Sequence, residues 1–388
     1  MPAAPDPIVI AAGARTPIGA FQGALKDKTA TELGATAIAA VLDRARLAPD
    51  DVDEVLMGCV LPAGLGQAPA RQAALGAGLP TSIPCSTVNK VCGSGMKTAM
   101  LAHDLVATGS ANIVVAGGME SMTNAPYLLD KARGGYRIGH GRIMDHMFLD
   151  GLEDAYDKGR AMGTFAEDTA EAYQFTREAQ DAYALASLER ALRATRDGAF
   201  RDEIVAVGAV ADDEQPFRAK PEKIPQLRPA FREGGTITAA NASSISDGAA
   251  ALVITRLSTA ESKGMTPLAI IRGHAAHAQE PARFTTAPVF AIRKLLDRVG
   301  WSAADVDLFE INEAFAVVVM AAMRDLDLPY DKVNVNGGAC ALGHPIGCSG
   351  ARVIVTLLSA LKAAGQRRGV ASLCIGGGEA TSMALELI

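Results

Sequence analysis

The sequence predicts an α/β fold made of two similar halves that flank an inserted lobe. Three observations predict it. Short apolar, β-branched runs alternate with longer helical patterns; a stretch beginning at Leu42 recurs at Leu296; and the middle of the chain differs in composition and texture from both ends.

Strand candidates are Ile8–Ala12, Val52–Val60, Asn112–Ala116, Ala250–Thr255, Leu268–Arg272, Val306–Ile311, Lys332–Val335 and Val370–Ile375, each a short apolar run bounded by polar or turn residues. Between the first two lies a helix. Thr29 and Glu32 are spaced as a capping box, and Leu33, Ala37 and Val41 with Ile38, Leu42 and Ala45 form one apolar stripe.

The repeat pairs Leu42-Asp-Arg-Ala-Arg-Leu-Ala-Pro-Asp-Asp-Val-Asp53 with Leu296-Asp-Arg-Val-Gly-Trp-Ser-Ala-Ala-Asp-Val-Asp307, six of twelve positions identical at an offset of 254. One residue further out of step, Val91-Cys-Gly-Ser-Gly95 falls on Ile346-Gly-Cys-Ser-Gly350, and each copy runs into an apolar helix, a strand and a glycine-rich end, Ala116-Gly-Gly-Met119 and Ile375-Gly-Gly-Gly378. Chance similarity of short helices is the competing reading; the repeated order of landmarks favours duplication. Residues 1–119 with 245–267 then make the first half and 268–388 the second. Residues 120–244 make the inserted lobe, which holds Gly134-Gly135, the Met144–Met147 stretch, a polar helix near Thr176–Thr195 and the proline-rich Gln215–Pro229. Equivalent loops of the two halves are expected to meet at their interface.

The bulk numbers narrow the function. A chain of 388 residues suits two or three compact units, and 49% hydrophobic with 21% charged residues fits a well-buried folded protein. A net charge of −6 argues against nucleic acid as a partner. Six cysteines without a CxxC pair do not form a disulfide framework and suit a reducing compartment. Met1-Pro-Ala-Ala-Pro-Asp6 has neither a basic nor an apolar signal region, and no apolar stretch is long enough to span a bilayer. A cytoplasmic enzyme is the expectation.

Several residues could carry chemistry. Cys92, in Asn89-Lys-Val-Cys-Gly-Ser-Gly95, precedes a helical run, where unpaired N–H groups and the helix dipole favour thiolate; a small buried core cysteine is the alternative. His344 lies between glycines in Gly343-His-Pro-Ile-Gly347, on a constrained loop suited to a base, or to a histidine that satisfies loop carbonyls. Cys374 ends a strand before Gly376-Gly-Gly378, and Asn312 follows the strand ending at Ile311, where a capping role is the alternative. Arg218, Lys220, Lys223, Arg228 and Arg232 form a basic, proline-stiffened segment that could cradle a polyanion or be a solvated loop. No phosphate-binding GxxxxGK[ST] and no dinucleotide GxGxxG motif is present, and no His, Cys and Asp spacing suits a metal; His140 and His146 are too loosely spaced.

Taken together, Asn89–Gly95, Gly117-Gly-Met-Glu-Ser121, Asn241-Ala-Ser243 with Asp247-Gly-Ala-Ala250, Asn312-Glu-Ala-Phe315, Gly343–Gly347 and Cys374-Ile-Gly-Gly-Gly378 resemble the thiolase family across essentially the whole chain. The resemblance implies two thiolase halves layered α-β-α-β-α, an inserted loop domain that binds coenzyme A, and a homodimer or homotetramer. It implies acetyl-CoA C-acetyltransferase chemistry: the reversible condensation of two acetyl-CoA to acetoacetyl-CoA and CoA, with coenzyme A thioesters as substrates and no permanently bound cofactor. Cys92 would be the nucleophile, His344 its base and Cys374 the acid/base at the α-carbon. Asn312, through a water, and His344 would hold one oxyanion, and the N–H groups of Cys92 and Gly376 the other. Ser243 would contact the pantetheine and Arg218 the adenosine end. A 3-ketoacyl-CoA thiolase of broader range is the alternative activity, a ketoacyl-carrier-protein synthase lacks its second histidine here, and an acyl-CoA-binding relative without activity is the non-enzyme alternative. Three departures from family habit stand out: Ala161 where many acetoacetyl-specific members have histidine, Phe284-Thr285 in place of a Met-Gly pair, and Glu379 in place of a common Gln.

Overall fold

The computed structural model of the chain describes residues 6–388, so the reading of Met1–Pro5 falls outside the described residues. Nine strands form one continuous path: β1 (Ile8–Arg15), β2 (Glu54–Gly58), β3 (Cys85–Val88), β4 (Ile113–Ser121), β5 (Ser246–Arg256), β6 (Ala269–Ala278), β7 (Leu308–Ile311), β8 (Arg368–Ile375) and β9 (Glu379–Leu387). Their order is β7-β8-β9-β6-β1-β5-β4-β2-β3, and a two-residue tenth strand, Gly19–Ala20, pairs with β5. Within the sheet, among the described residues, the two halves pair at two register positions, Val9 with Ile270 and Ile10 with Ala269.

Strand alternation produces five layers. Val55, Met57, Val115 and Val253 point to an outer core with α1 (Ala30–Ala45) and α2 (Pro69–Gly76). Leu56, Val114, Leu252 and Ile254 point the other way, onto α3 (Ser94–Thr108) and α8 (Ser349–Ala364). Beyond these, the second half's strands carry α6 (Ala287–Val299) and α7 (Ala316–Leu326) on the opposite outer face. The central helices touch backbone to backbone. A Cβ on Gly95 would stand 2.7 Å from Ala351 N, and one on Gly350 would stand 2.2 Å from Met96 N, so both positions require glycine.

The duplication extends to single hydrogen bonds. Asp53 Oδ2 accepts from the N–H groups of Asn112 and Ile113, and Asp307 Oδ2 accepts from those of Arg367 and Arg368. Arg46 and Gly300, both left-handed, end α1 and α6, and the Thr29–Glu32 capping box opens α1. The helix expected near Thr176–Thr195 is α5 (Arg177–Asp197), capped by Thr176; it follows α4 (Met162–Tyr173).

Three strand readings are corrected. Lys332–Val335 is not a strand: only Val333 bridges Phe309, because Asn334 turns left-handed (φ 47°) and its amide takes the place of a ladder, accepting from Ile311 N and donating to Ile311 O, each at 2.8 Å. β3 and β9 were not expected; β3 is four residues long, and β9 has a single β-branched residue, Thr381. The two glycine-rich ends are not equivalent either. Gly117 and Gly118 lie inside β4, whereas Gly376–Gly378 form the turn after β8. No helix among the described residues is long and apolar enough to cross a membrane.

Candidate active site

Cys92 sits between β3 and α3, in a turn whose Val91 adopts a left-handed φ of 46°, a costly state for a β-branched residue. Side chains hold the turn: Val91 N–H donates to Asn89 Oδ1 (2.9 Å), Lys90 N–H to Ser94 Oγ (2.8 Å), and Ser94 Oγ–H to Val91 O (2.7 Å). Gly93 leaves room for the second half, since a Cβ there would lie 2.3 Å from Ile375 Cδ1. The dipole-based expectation of a lowered thiol pKa is corrected. Burial pushes Cys92 up to about 11, while the N–H groups of Gly376 and of Cys92 itself, which face the sulfur, pull the other way. The resting group is a thiol, and nucleophilic use of it requires a nearby base.

His344 supplies a neutral one. It is buried, its N–H donates to Ser244 O (3.1 Å), and its pKa is depressed to about 3 by burial, with Arg352 adding to the effect. Ser349 Oγ donates to Pro345 O (3.0 Å), so its contact with His344 Nδ1 (2.5 Å) has the ring as donor. That fixes the tautomer with Nε2 free to accept, and Asn312 Nδ2 faces Nε2 at 3.5 Å. Asn312 follows β7, fully buried, and its Oδ1 faces Arg352 Nη2 at 3.4 Å. Arg352 Nη1 in turn binds buried Glu310 at 2.6 Å.

Cys374 closes β8 at 0% exposure, among Phe165, Phe284 and Phe315. Burial pushes its thiol well above the ordinary range, and the neighbouring Cys92 adds to the shift. The structure thus brings Cys92, Cys374 and Gly376 together, and His344 with Asn312. Ile346 of the histidine loop packs in the same apolar cluster as Cys92. Ser243 is half-buried beside the Asn312 segment, its N–H donating to Ala314 O (2.9 Å). Arg218 stands apart, exposed and paired with Glu214 (3.1 Å); with Lys220, Lys223, Ile224, Leu227 and Ala240 it lines a cleft of about 290 Å³.

Sequence reasoning missed the residues that hold this set in place. Glu120 is fully buried, accepts from the N–H groups of Val60, Leu61 and Gly347 at 2.9 to 3.1 Å, and is raised by burial to about 7. It stands within Gly117–Ser121, where the motif gave its presence without a role. Ser349 and Arg352 carried no signal, because their function arises only where α8 meets β7. Elsewhere, His103, Asp104 and His274 meet at the surface between α3 and β6, but Arg298 Nη1 lies 2.6 Å from His274 O and sets positive charge against a cation there.

An α/β duplication that brings two cysteines, a neutral histidine and an asparagine to its interface suits acyl transfer through a thioester on the protein. Comparisons with known proteins agree. The thiolase N-terminal domain model matches residues 8–258 and the thiolase C-terminal domain model residues 265–387. Acetyl-CoA acetyltransferase 2 of Arabidopsis thaliana is 51% identical, over 99% of this chain and 98% of its own. The Escherichia coli (strain K12) acetyl-CoA acetyltransferase is 50% identical over 97% and 98%. The crystal structure of Acat5 thiolase from Ascaris suum in complex with coenzyme A superposes with a TM-score of 0.95 at 41% identity, covering 98% of this chain and 100% of that one. The chain belongs to the thiolase family.

Proposed function

We propose that this chain is an acetyl-CoA C-acetyltransferase that condenses two acetyl-CoA into acetoacetyl-CoA and CoA through an acetyl group carried on Cys92. The observation that carries the reading is the complementary state of the two groups: a half-buried thiol whose sulfur faces the N–H groups of Gly376 and Cys92, and a neutral imidazole whose Nε2 is left as an acceptor. The Cys92 proton passes to His344 Nε2 as the sulfur attacks the thioester carbonyl; the oxyanion rests on the N–H groups of Cys92 and Gly376. CoA leaves with the proton from His344. For the second acetyl-CoA, the Cys374 proton passes to His344, and the Cys374 thiolate takes the α-proton. The enolate oxygen is held by the imidazolium and by Asn312 through a water. The enolate carbon attacks acetyl-Cys92, and the departing Cys92 sulfur recovers its proton from His344.

Ser243 is assigned to the pantetheine and the Arg218 cleft to the phosphate-bearing end, within a coenzyme-binding lobe spanning 120–244 between halves 1–119 with 245–267 and 268–388. Two surfaces support assembly. β3 ends the sheet with Ser86 and Thr87 exposed, which suits pairing with a second copy as a homodimer. The hairpin of Tyr127–Leu128 with Met144–Asp145 presents Ile138 at 96% and Ile143 at 70% exposure, which suits a homotetramer. Six free cysteines suit a reducing, cytoplasmic setting, and the condensation of coenzyme A thioesters proposed above suits lipid metabolism.

Ala161 favours a second reading, a 3-ketoacyl-CoA thiolase of wider chain-length range. It is the N-cap of α4, next to Met162, whose methyl lies 3.3 Å from the Cβ position of Gly376, and alanine there offers a methyl where histidine would offer an imidazole. The deciding experiment measures acetyl loading by intact-protein mass with acetyl-CoA, then compares thiolysis of acetoacetyl-CoA with longer 3-ketoacyl-CoA. Loading of one acetyl group with preference for acetoacetyl-CoA supports the first reading. Equal or greater rates on longer chains support the second, and absence of any loading removes both.

A further inference from the structure

Lys90 stands two residues before Cys92, and Glu379 opens β9 directly after the Gly376–Gly378 turn. Their side chains form an ion pair from one half to the other, with side-chain exposures of 23% and 35%. Among the described residues it is the one ion pair that joins the Cys92 turn to the strand leaving the glycine turn. Each end is anchored in its own half. Lys90 N–H is held by Ser94 Oγ, and Gly378 is seated where a Cβ would lie 2.3 Å from Gln279 O. The glycine turn joins β8 to β9, with Ile375 opposite Glu379, and only its tip stands in open space: Gly377 adopts a φ of 88°, and a Cβ there would meet nothing within 4 Å.

We propose that Lys90 and Glu379 are a positioning pair that clamps the Gly376 N–H onto the Cys92 sulfur. The inference rests on reading Cys92 as the acetyl acceptor and Gly376 as its donor. Partly exposed ion pairs contribute little to folding. A hydrogen-bond donor displaced by about 1 Å, in contrast, costs up to roughly 10²-fold in rate. The pair therefore acts on rate more than on stability. The ionised carboxylate of Glu379 makes a shorter, stronger bond to an ammonium group than a neutral amide would.

The test compares wild type with Lys90→Met, Glu379→Ala, Glu379→Gln and the reversed pair, Lys90→Glu with Glu379→Lys. Single-turnover acetyl loading at saturating acetyl-CoA, the thermal midpoint, and the pH profile of Cys92 alkylation by iodoacetamide are measured for each. Loading is expected to fall about 10-fold or more in Lys90→Met and Glu379→Ala, about threefold in Glu379→Gln, and to recover within about threefold in the reversed pair. The apparent constant for acetyl-CoA and the thermal midpoint stay near wild type. The alkylation profile moves to higher pH in the first two variants, because the Gly376 N–H that favours thiolate is displaced. The other titratable groups around Cys92 (Glu120, Cys374 and, on the facing loop, His344) are the same in every variant. Loading at the wild-type rate in both single-charge variants, or losses that follow the thermal midpoint without rescue by reversal, would overturn the proposal. Wild-type protein that takes no acetyl group would overturn the Cys92 reading itself, and the alkylation profiles would still report on the clamp.

Discussion

Position for position, the first half places Gly58 and Met119 where the second places Asn312 and Cys374, and the second places Gly347 where the first carries Cys92. The shared frame is close enough that Asp53 and Asp307 make the same paired bonds. What differs is the space at the loop ends. A Cβ on Gly58 would stand 2.7 Å from Ser94 Cβ, and one on Gly347 would stand 2.7 Å from Glu120 Oε2, so neither position has room for a side chain. His344 lies in a loop the first half lacks: sixteen positions separate Val333 from Ser349, against nine from Cys85 to Ser94. Duplication brought two equivalent sets of loops to one interface. Gly58 and Gly347 are closed where the other half carries Asn312 and Cys92, and on the proposed roles the acyl carrier stands in one half and the proton chemistry in the other.

The division can be broken most severely at the carrier. Cys92→Ala is expected to remove the acetyl adduct and to lower condensation about 10⁴-fold or more, read by intact mass and steady-state rate. The next effect is on stability. The second half buries Arg352 against Glu310 where the first half has Lys97 and Leu56. Arg352→Met leaves Glu310 buried without its partner and should cost about 3–5 kcal/mol in urea denaturation, whereas Lys97→Met should change little. The equivalent serines sharpen the contrast further. Ser349 fixes the His344 tautomer, and Ser94 braces only backbone. Ser349→Ala should lower turnover about 10- to 100-fold with a nearly unchanged thermal midpoint, and Ser94→Ala about threefold. Equal losses at both serines would show that the histidine gains nothing from its tautomer. Smallest is the lobe: Arg218→Ala with Lys220→Ala should raise Michaelis constants about threefold at low salt with saturated turnover kept. Unchanged constants would mark a solvated loop.

Much of the frame was legible in the residues, and the reasons are local. The Thr29–Glu32 box, the Leu33–Ala45 stripe and the Leu42–Asp53 repeat each depend on neighbours in sequence, so spacing alone carries them. β9 was not legible, because burial between neighbouring strands rather than β-branched side chains makes it a strand. Lys332–Val335 misled for the opposite reason. It has strand-like residues, and Asn334 replaces the ladder with its own amide. At the site, Cys92, His344 and Cys374 stand out in sequence because each lies next to or near glycines. Glu120, Ser349 and Arg352 do not, since what they hold is brought to them only by the fold. The thiol pKa was misjudged because the dipole at the start of α3 is visible in sequence and the burial that outweighs it is not.

The division of labour between the halves is tested most directly with Cys374→Ser, following acetyl transfer onto Cys92 and acetoacetyl-CoA formation in the same preparation. Loading needs only Cys92, His344 and the two N–H donors and should stay within about tenfold of wild type, while condensation, which needs the α-proton, should fall by roughly 10²-fold or beyond. Equal losses in both steps, or none in either, would contradict the assignment of Cys374 as the second half's proton carrier.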